Sequence, residues 1–169
     1  MAFKSMEEWI DFSSKNQSTL LETIVREDAN DRGVTEEKNR AQMADIWAAM
    51  CSSEANYDRS LRSHSGLVGG AAGQMEDYLN EGQTLCGDVI GRVIMRALRL
   101  GESNACMKRI VAAPTAGACG VLPAVLITAA EEYGFSDSQM TEALFVAAGI
   151  CEVIASRARI AGPTERCVG

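Results

Sequence analysis

Aromatic residues and long apolar runs are scarce in this 169-residue chain, and each shortage excludes a class of protein. Aromatics make up 5% of the residues, which argues against a β-sandwich built on aromatic and β-branched side chains. No segment reaches the ~18 uncharged apolar residues that a membrane span needs. Lys4, Glu7 and Glu8 interrupt the region where a signal peptide requires apolar residues. We therefore expect a cytoplasmic protein without a membrane partner.

Positive charge and paired cysteines are also in short supply. The formal net charge is −7, and the chain has no run of lysine or arginine that could face phosphates, so nucleic acid is excluded as a partner. The six cysteines are scattered without Cys-x-x-Cys spacing. Isolated thiols in a reducing compartment therefore fit better than a disulfide framework.

The length favours one compact domain over residues 1–169. Apolar spacing and capping residues indicate an all-α domain of about six helices with glycine-rich loops at helix ends and no strand. The expected helices open at Ser5, cover Leu20 to Glu27, begin again at Thr35, and cover Met75 to Leu79, Gly87 to Leu100, Leu122 to Tyr133 and Asp137 to Arg157. We expect a loop from Ser60 to Gly73, a helix end at Gly101, and burial on nearly all sides of the last helix.

The most informative stretch runs from Arg109 to Leu126 and reads RIVAAPTAGACGVLPAVL. It places Cys119 in a glycine-rich turn that leads directly into a helix. The free N–H groups and the positive dipole end of that helix favour an anionic sulfur, an anionic metal cluster or a carboxylate. The alternative is a helix entry with a small buried cysteine, a common place for a free thiol.

Three motifs in order carry a family resemblance. Ser65 to Gly70 reads SGLVGG, Gly101 to Ala105 reads GESNA, and the signature turn around Cys119 follows. Together they resemble the alpha subunit, or catalytic domain, of the iron–sulfur-dependent L-serine dehydratases. The resemblance implies dehydration and deamination of L-serine to pyruvate and ammonia.

The resemblance also implies a [4Fe–4S] cluster that acts as a Lewis acid and is held by three cysteines. Cys119 matches one ligand position and Cys167 is the second candidate. The sequence around Cys167 departs from the family, because Pro163 to Arg166 stand where small residues are usual and Arg159 replaces a small hydroxyl residue. No third ligand position is present, so we expect a truncated or tail-altered alpha subunit. The remaining thiols fit structural roles: Cys51, Cys86, Cys106 and Cys151.

Substrate contacts follow from the same resemblance. The glycine-rich loop supplies Ser65, Gly66, Gly69 and Gly70 for the substrate carboxylate, and the later motifs supply Asn104, Thr115 and Gly117. An ordinary turn or helix cap is the alternative for these residues. Ala71 stands where the family usually has an aspartate, which puts substrate affinity in question. His64 is the one histidine, and its place in a polar loop favours a bystander over a general base.

Three functions remain open at this point. The first is the alpha chain of a serine dehydratase that works with a separate beta subunit in a hetero-oligomer. The second keeps the fold but acts on L-cysteine as a desulfidase. The third is a helical partner protein that binds a beta chain without turnover.

Overall fold

The computed structural model describes residues 3–82 and 84–157. Within these ranges the chain forms seven α-helices, one short 3-10 turn and no strand, so the predicted all-α fold is confirmed. The helices are α1 (Met6–Lys15), α2 (Leu20–Arg32), α3 (Glu36–Ala55), α4 (Ala71–Asn80), α5 (Asp88–Ala105), α6 (Val121–Tyr133) and α7 (Asp137–Arg157), with the 3-10 turn at Ala116–Ala118.

The described residues divide into two compact units. The first contains residues 3–47 and 137–157, and the second contains residues 48–82 and 84–136. The single domain expected from chain length stays a prediction. Each unit has its own set of packed helices, and the three motifs of the resemblance all fall in the second.

Local side-chain chemistry sets the ends of the first helices. The Glu8 N–H donates to Ser5 Oγ at 3.1 Å, which caps α1 as the sequence predicted. At the start of α2, the backbone N–H groups of Thr19 and Glu22 each donate to the other residue's side chain, at 2.8 and 3.1 Å, forming a full capping box. Gly33 ends α2 in the left-handed conformation at φ 62°.

The core of the first unit is built around Trp9, whose side chain is fully buried. Its ring stacks on Phe3 with centroids 5.9 Å apart. Helix α7 approaches this ring so closely that a Cβ added at Gly149 would lie 2.5 Å from it, and only glycine fits there. Trp47 Nε1 donates to Asp137 Oδ1 at 2.8 Å, and this bond anchors the start of α7.

Helix α7 is buried on one side rather than almost all round. Leu144 and Phe145 are buried, and Phe145 belongs to the core of the first unit, whereas Ile150 and Ile154 are 41% and 52% exposed. The segment Asp137–Ser156 is the one helix among those described that is long and apolar enough to cross a membrane. About a third of this segment is buried, at 33%, and the buried side includes Phe145 of this core.

The second unit is organised around α5, which packs against both α4 and α6. The buried Glu54 carboxylate, near the end of α3, accepts from Arg99 at 2.7 Å and lies 3.6 Å from Arg96. Arg99 also pairs with Glu76 of α4 at 2.8 Å. These ion pairs join α3, α4 and α5, and a buried charge of this kind requires such partners.

Three helix boundaries differ from the predictions. Helix α5 passes through Gly101 and ends at Ala105, because Glu102 and Ser103 are buried there and their contacts outweigh the helix penalty of one glycine. Helix α4 starts at Ala71, so the loop ends at Gly70 instead of Gly73. Helix α2 extends from the predicted end at Glu27 to Arg32.

Candidate functional site

The signature turn is held by a hydroxyl and by an amide side chain. Thr115 Oγ1 accepts from the Ala118 N–H at 3.3 Å and caps the 3-10 turn. Asn104, near the end of α5, donates from Nδ2 to the Ala116 carbonyl at 3.0 Å. Both side chains therefore hold the turn in place, and their predicted contacts with substrate stay predictions. Gly117 has no close neighbour that would exclude a side chain.

Cys119 follows this turn and is 2% exposed. Its Sγ lies 3.9 Å from the Leu100 carbonyl of α5, to which it donates. Burial raises the pKa of the Cys119 thiol. This outcome differs from the expectation that the helix end favours an anionic sulfur, because desolvation raises the pKa more than a backbone hydrogen bond lowers it. The thiol in this form is a small buried group, and its role as a cluster ligand stays a prediction.

Gly120 allows α6 to begin directly against α5. A Cβ added there would lie 2.6 Å from the Ala97 carbonyl oxygen, which is closer than side-chain carbons approach backbone. The glycine of the Cys-Gly pair is therefore required by the contact between the two helices. That contact fixes the position of Cys119 relative to α5.

The glycine-rich loop folds back on itself. Ser63 N–H donates to the Val68 carbonyl at 2.9 Å, and the N–H groups of Gly66 and Val68 donate to the Ser63 carbonyl and hydroxyl at 2.8 and 3.1 Å. Ser65 Oγ accepts a longer bond from Leu67 N–H at 3.4 Å. Several amides that the sequence offered to a carboxylate are thus engaged within the loop, and the substrate role of Ser65 to Gly70 stays a prediction.

Left-handed glycines shape the end of this loop. Gly69 and Gly70 have φ of 135° and 89°, values that other residues rarely adopt. A Cβ at Gly69 would lie 2.4 Å from the Leu61 carbonyl oxygen. The loop therefore depends on glycine at both positions for conformation, and at Gly69 for space as well.

A buried carboxylate caps α4 directly after these glycines. Glu102 is 5% exposed, and its Oε1 accepts from the N–H groups of Ala71 at 2.6 Å and Ala72 at 3.2 Å. Burial by itself raises the pKa of Glu102, but hydrogen bonds from Tyr57 and from the backbone at Ala72, Ala71 and Gly70 outweigh it and hold the pKa below its usual range. Glu102 is therefore a fixed anion at the N-terminus of α4.

Tyr57 completes the surroundings of this carboxylate. Its hydroxyl donates to Glu102 Oε2 at 2.6 Å, and the Arg99 guanidinium lies 5.5 Å from the centroid of its ring. Burial and the hydrogen bond to Glu102 raise the pKa of Tyr57 to about 12. The phenol consequently remains a proton donor at physiological pH.

One stretch of α5, from Ala97 to Asn104, brings the two main motifs together. The glycine-rich loop and α5 enclose a cleft of about 280 Å³ lined in part by Val68, Gly69 and Gly101. On the same stretch, Ala97 contacts Gly120 and Asn104 holds the signature turn. The glycine-rich loop therefore meets this stretch of α5 at Val68 and Gly69, and the signature turn meets it through Asn104 and Cys119.

The described residues alone do not supply a full set of ligands for an iron–sulfur cluster. No group of three or more His, Cys, Asp or Glu side chains within them has the arrangement of a metal site. Cys119 is the one thiol of the signature turn, whereas a cubane cluster needs several thiolates. The second predicted ligand, Cys167, lies outside the described residues, as do Arg159 and Pro163 to Arg166.

Sequence reasoning missed Glu102 and Tyr57. Glu102 lies inside the quoted GESNA motif, but a helical glutamate normally faces solvent, and only the approach of α4 makes it a cap. Tyr57 follows α3 without a local motif. His64, which the sequence indicates to be a bystander, is exposed and lies just before the glycine-rich loop.

Comparison with known proteins gives one consistent result. A family model described as "Serine dehydratase alpha chain" matches residues 15–169. The L-serine dehydratase alpha chain of Peptoniphilus asaccharolyticus is 30% identical over 95% of this chain and 55% of its own length. A probable L-serine dehydratase alpha chain of Bacillus subtilis is 28% identical over 98% of this chain and 55% of its own.

A longer relative shows the same similarity at lower coverage. The L-serine dehydratase of Haemophilus influenzae is 29% identical over 99% of this chain and 38% of its own length. The chain thus spans about half the length, or less, of these curated relatives. No solved structure matches the chain significantly.

Proposed function

The chain belongs to the serine dehydratase alpha chain family, and from this premise we propose that it serves an L-serine dehydratase that converts L-serine to pyruvate and ammonia. The proposal covers the activity, the substrate, the cofactor and the partner, because the chain corresponds to about half of the alpha chains it matches.

The observation that carries the proposal is the meeting of two motifs on α5. The glycine-rich loop is fixed to α5 through Glu102, and the signature turn is fixed two residues later through Asn104. The end of the glycine-rich loop, Gly70, and the start of the signature turn, Thr115, are 45 positions apart in the sequence. Their attachment to one helix end supports a shared site rather than two unrelated turns.

The overall reaction is balanced without an oxidant. Serine loses its α-proton and its hydroxyl group, together one water, and becomes aminoacrylate. Aminoacrylate tautomerises to an imine, which takes up one water and gives pyruvate and ammonia. In this proposal Ser65, Gly66, Gly69 and Gly70 hold the substrate carboxylate, while Thr115, Asn104 and Gly117 lie beside the leaving hydroxyl. No residue is assigned as the base.

We propose a [4Fe–4S] cluster as the cofactor, with Cys119 and Cys167 as two of its ligands. When bound, such a cluster supplies a Lewis acid for the departing hydroxyl. The proposal rests on the match of Cys119 to the family turn, and it requires a further ligand beyond these two. Ala71 lacks the carboxylate that the family usually places at this position, so the proposed site has one charged partner fewer for the substrate.

The expected partner is a separate beta subunit in a cytoplasmic hetero-oligomer. The relatives from Peptoniphilus and Bacillus are named as alpha chains, which supports a partner chain for this one. The net charge of −7 supports a partner other than nucleic acid.

The test is anaerobic reconstitution with iron and sulfide, followed by assays with the beta subunit from the same organism. We expect broad visible absorbance of an iron–sulfur cluster and pyruvate formation from L-serine. Cys119→Ala should lose the absorbance and the activity. Cys86→Ala is the matched control, because Cys86 is an exposed thiol outside the family motifs.

Two results would count against the proposal. Sulfide release from L-cysteine that exceeds pyruvate formation from L-serine would favour the desulfidase. Binding of the beta subunit with no turnover of either amino acid would favour the helical partner protein.

A further inference from the structure

Helix α4 begins without a capping side chain of its own. Its N-cap residue is Gly70, which makes no side-chain hydrogen bond. The first N–H groups of the helix, at Ala71 and Ala72, instead donate to Glu102, which lies 31 residues from Ala71 in sequence. A long-range carboxylate therefore does what a local Ser, Thr or Asp normally does.

Both oxygens of this carboxylate are occupied. Oε1 serves the backbone of α4, and Oε2 accepts from the Tyr57 hydroxyl at 2.6 Å. Arg99 lies over the Tyr57 ring and pairs with Glu54 and Glu76. A carboxylate held from both sides has little freedom to act as a base or to leave its place.

The position of this carboxylate matters because of what it adjoins. Glu102 lines the cleft between α5 and the glycine-rich loop. Asn104, two residues later on the same helix, fixes the signature turn. The last part of α5 thus determines the position of the glycine-rich loop relative to the signature turn.

We propose that Glu102 and Tyr57 are positioning residues that fix the glycine-rich loop of the substrate site through the N-terminus of α4. Neither residue contacts the reacting atoms in this account. Their part in substrate binding rests on the proposed function, whereas their part in holding the loop does not.

Residue-resolved amide hydrogen exchange on the full chain tests the loop-holding part. We expect exchange at Ala71 and Ala72 to rise about tenfold in Tyr57→Phe, the loss expected for one charge-assisted hydrogen bond. Glu102→Ala should raise it further, and Glu102→Gln should lie nearer the wild type because its amide oxygen still accepts from both N–H groups. Tyr133→Phe is the matched control, since Tyr133 is 67% exposed and distant from these bonds in sequence.

Serine kinetics of the assembled enzyme test the substrate part. A misplaced loop weakens binding of the substrate in the ground state and in the transition state to the same extent. KM for L-serine should therefore rise about tenfold in Tyr57→Phe, while kcat stays within about twofold. A structural effect alone would lower the amount of active enzyme and hence kcat, without moving KM.

The outcomes separate the two ideas. Unchanged exchange at Ala71 and Ala72 in both Tyr57→Phe and Glu102→Ala overturns the positioning role. Faster exchange with an unchanged KM overturns its link to substrate. A wild-type enzyme that leaves serine unreacted, while Tyr57→Phe still speeds exchange, defeats the proposed function and leaves the loop-holding role supported.

Discussion

Burial decides the behaviour of individual thiols in this chain. Cys86 is exposed, whereas Cys119 is 2% exposed and donates to a backbone carbonyl. Because alkylation requires an accessible thiolate, and burial raises the Cys119 pKa, the two should differ strongly in reactivity.

We predict that iodoacetamide modifies Cys86 at least ~100-fold faster than Cys119 in the chain without iron, because Cys119 must first become exposed. Peptide mass spectrometry at timed intervals measures both rates. Equal rates in the folded chain would contradict the buried position of Cys119. In urea the difference should disappear, which serves as the control.

The carboxylate of Glu102 should also affect how the free energy of unfolding depends on pH in acid. Its pKa is lower in the folded chain than in the unfolded chain, so the unfolded chain takes up this proton first as the pH falls. The stability from Glu102 is present above the unfolded pKa of about 4.3 and is lost as the pH falls through the folded value.

Glu102→Gln should therefore lose less stability than the wild type between about pH 6 and pH 3. Urea unfolding at a series of pH values measures this. Glu81→Gln, at an exposed position after α4, should keep the wild-type slope. If the two variants show the same pH dependence, the account of Glu102 as a hydrogen-bonded anion is wrong.

The sequence predicted residues whose interactions are local and missed residues whose partners are distant in the chain. Thr115 was named from the sequence because its motif is local, and the structure shows it capping the adjacent turn. Glu102 and Tyr57 were missed because their partners lie 31 and 45 residues away. For Cys119 the sequence left an anionic sulfur and a small buried thiol both open, and burial against α5 decides for the buried thiol with a raised pKa.

At the scale of helices, two glycines with opposite surroundings provide a direct comparison. Gly149 of α7 faces the Trp9 ring, where a Cβ would lie 2.5 Å away. Gly101 of α5 has nothing within 4 Å of an added Cβ. Both occupy helical positions, so the difference between them is one of space.

We predict that Gly149→Ala destabilises the chain by about 1–3 kcal/mol, since the ring must shift to admit the methyl group. Gly101→Ala should instead stabilise it by about 0.5–1 kcal/mol, because alanine costs less than glycine in a helix. Chemical denaturation of both variants measures the free energies of unfolding. A stabilising Gly149→Ala would contradict the close packing of α7 on Trp9.

Helix existence was predictable, and helix ends were predictable where a local signal decided them. Ser5 and Gly134 mark predicted ends, which side-chain capping and a left-handed glycine fix locally. The predicted helix end at Gly101 was wrong, because Glu102 and Ser103 are buried and α5 continues to Ala105. The exposed side of α7 was also missed, because composition alone does not tell which neighbours cover an apolar helix.

At the scale of the whole molecule, the described residues form two units, and the motifs of the family lie in the second. The chain spans about half of the alpha chains it matches. The family was predictable from three ordered motifs, whereas the cluster ligand set was not, because Cys119 is the one motif thiol among the described residues.

The most direct test is pyruvate formation from L-serine, measured side by side for the wild type and Cys119→Ala after identical anaerobic reconstitution with iron, sulfide and the beta subunit. The account predicts serine-dependent pyruvate from the wild type and none above background from the variant, with both chains folded by circular dichroism. Pyruvate formation at equal rates in the two, or in neither, would contradict it.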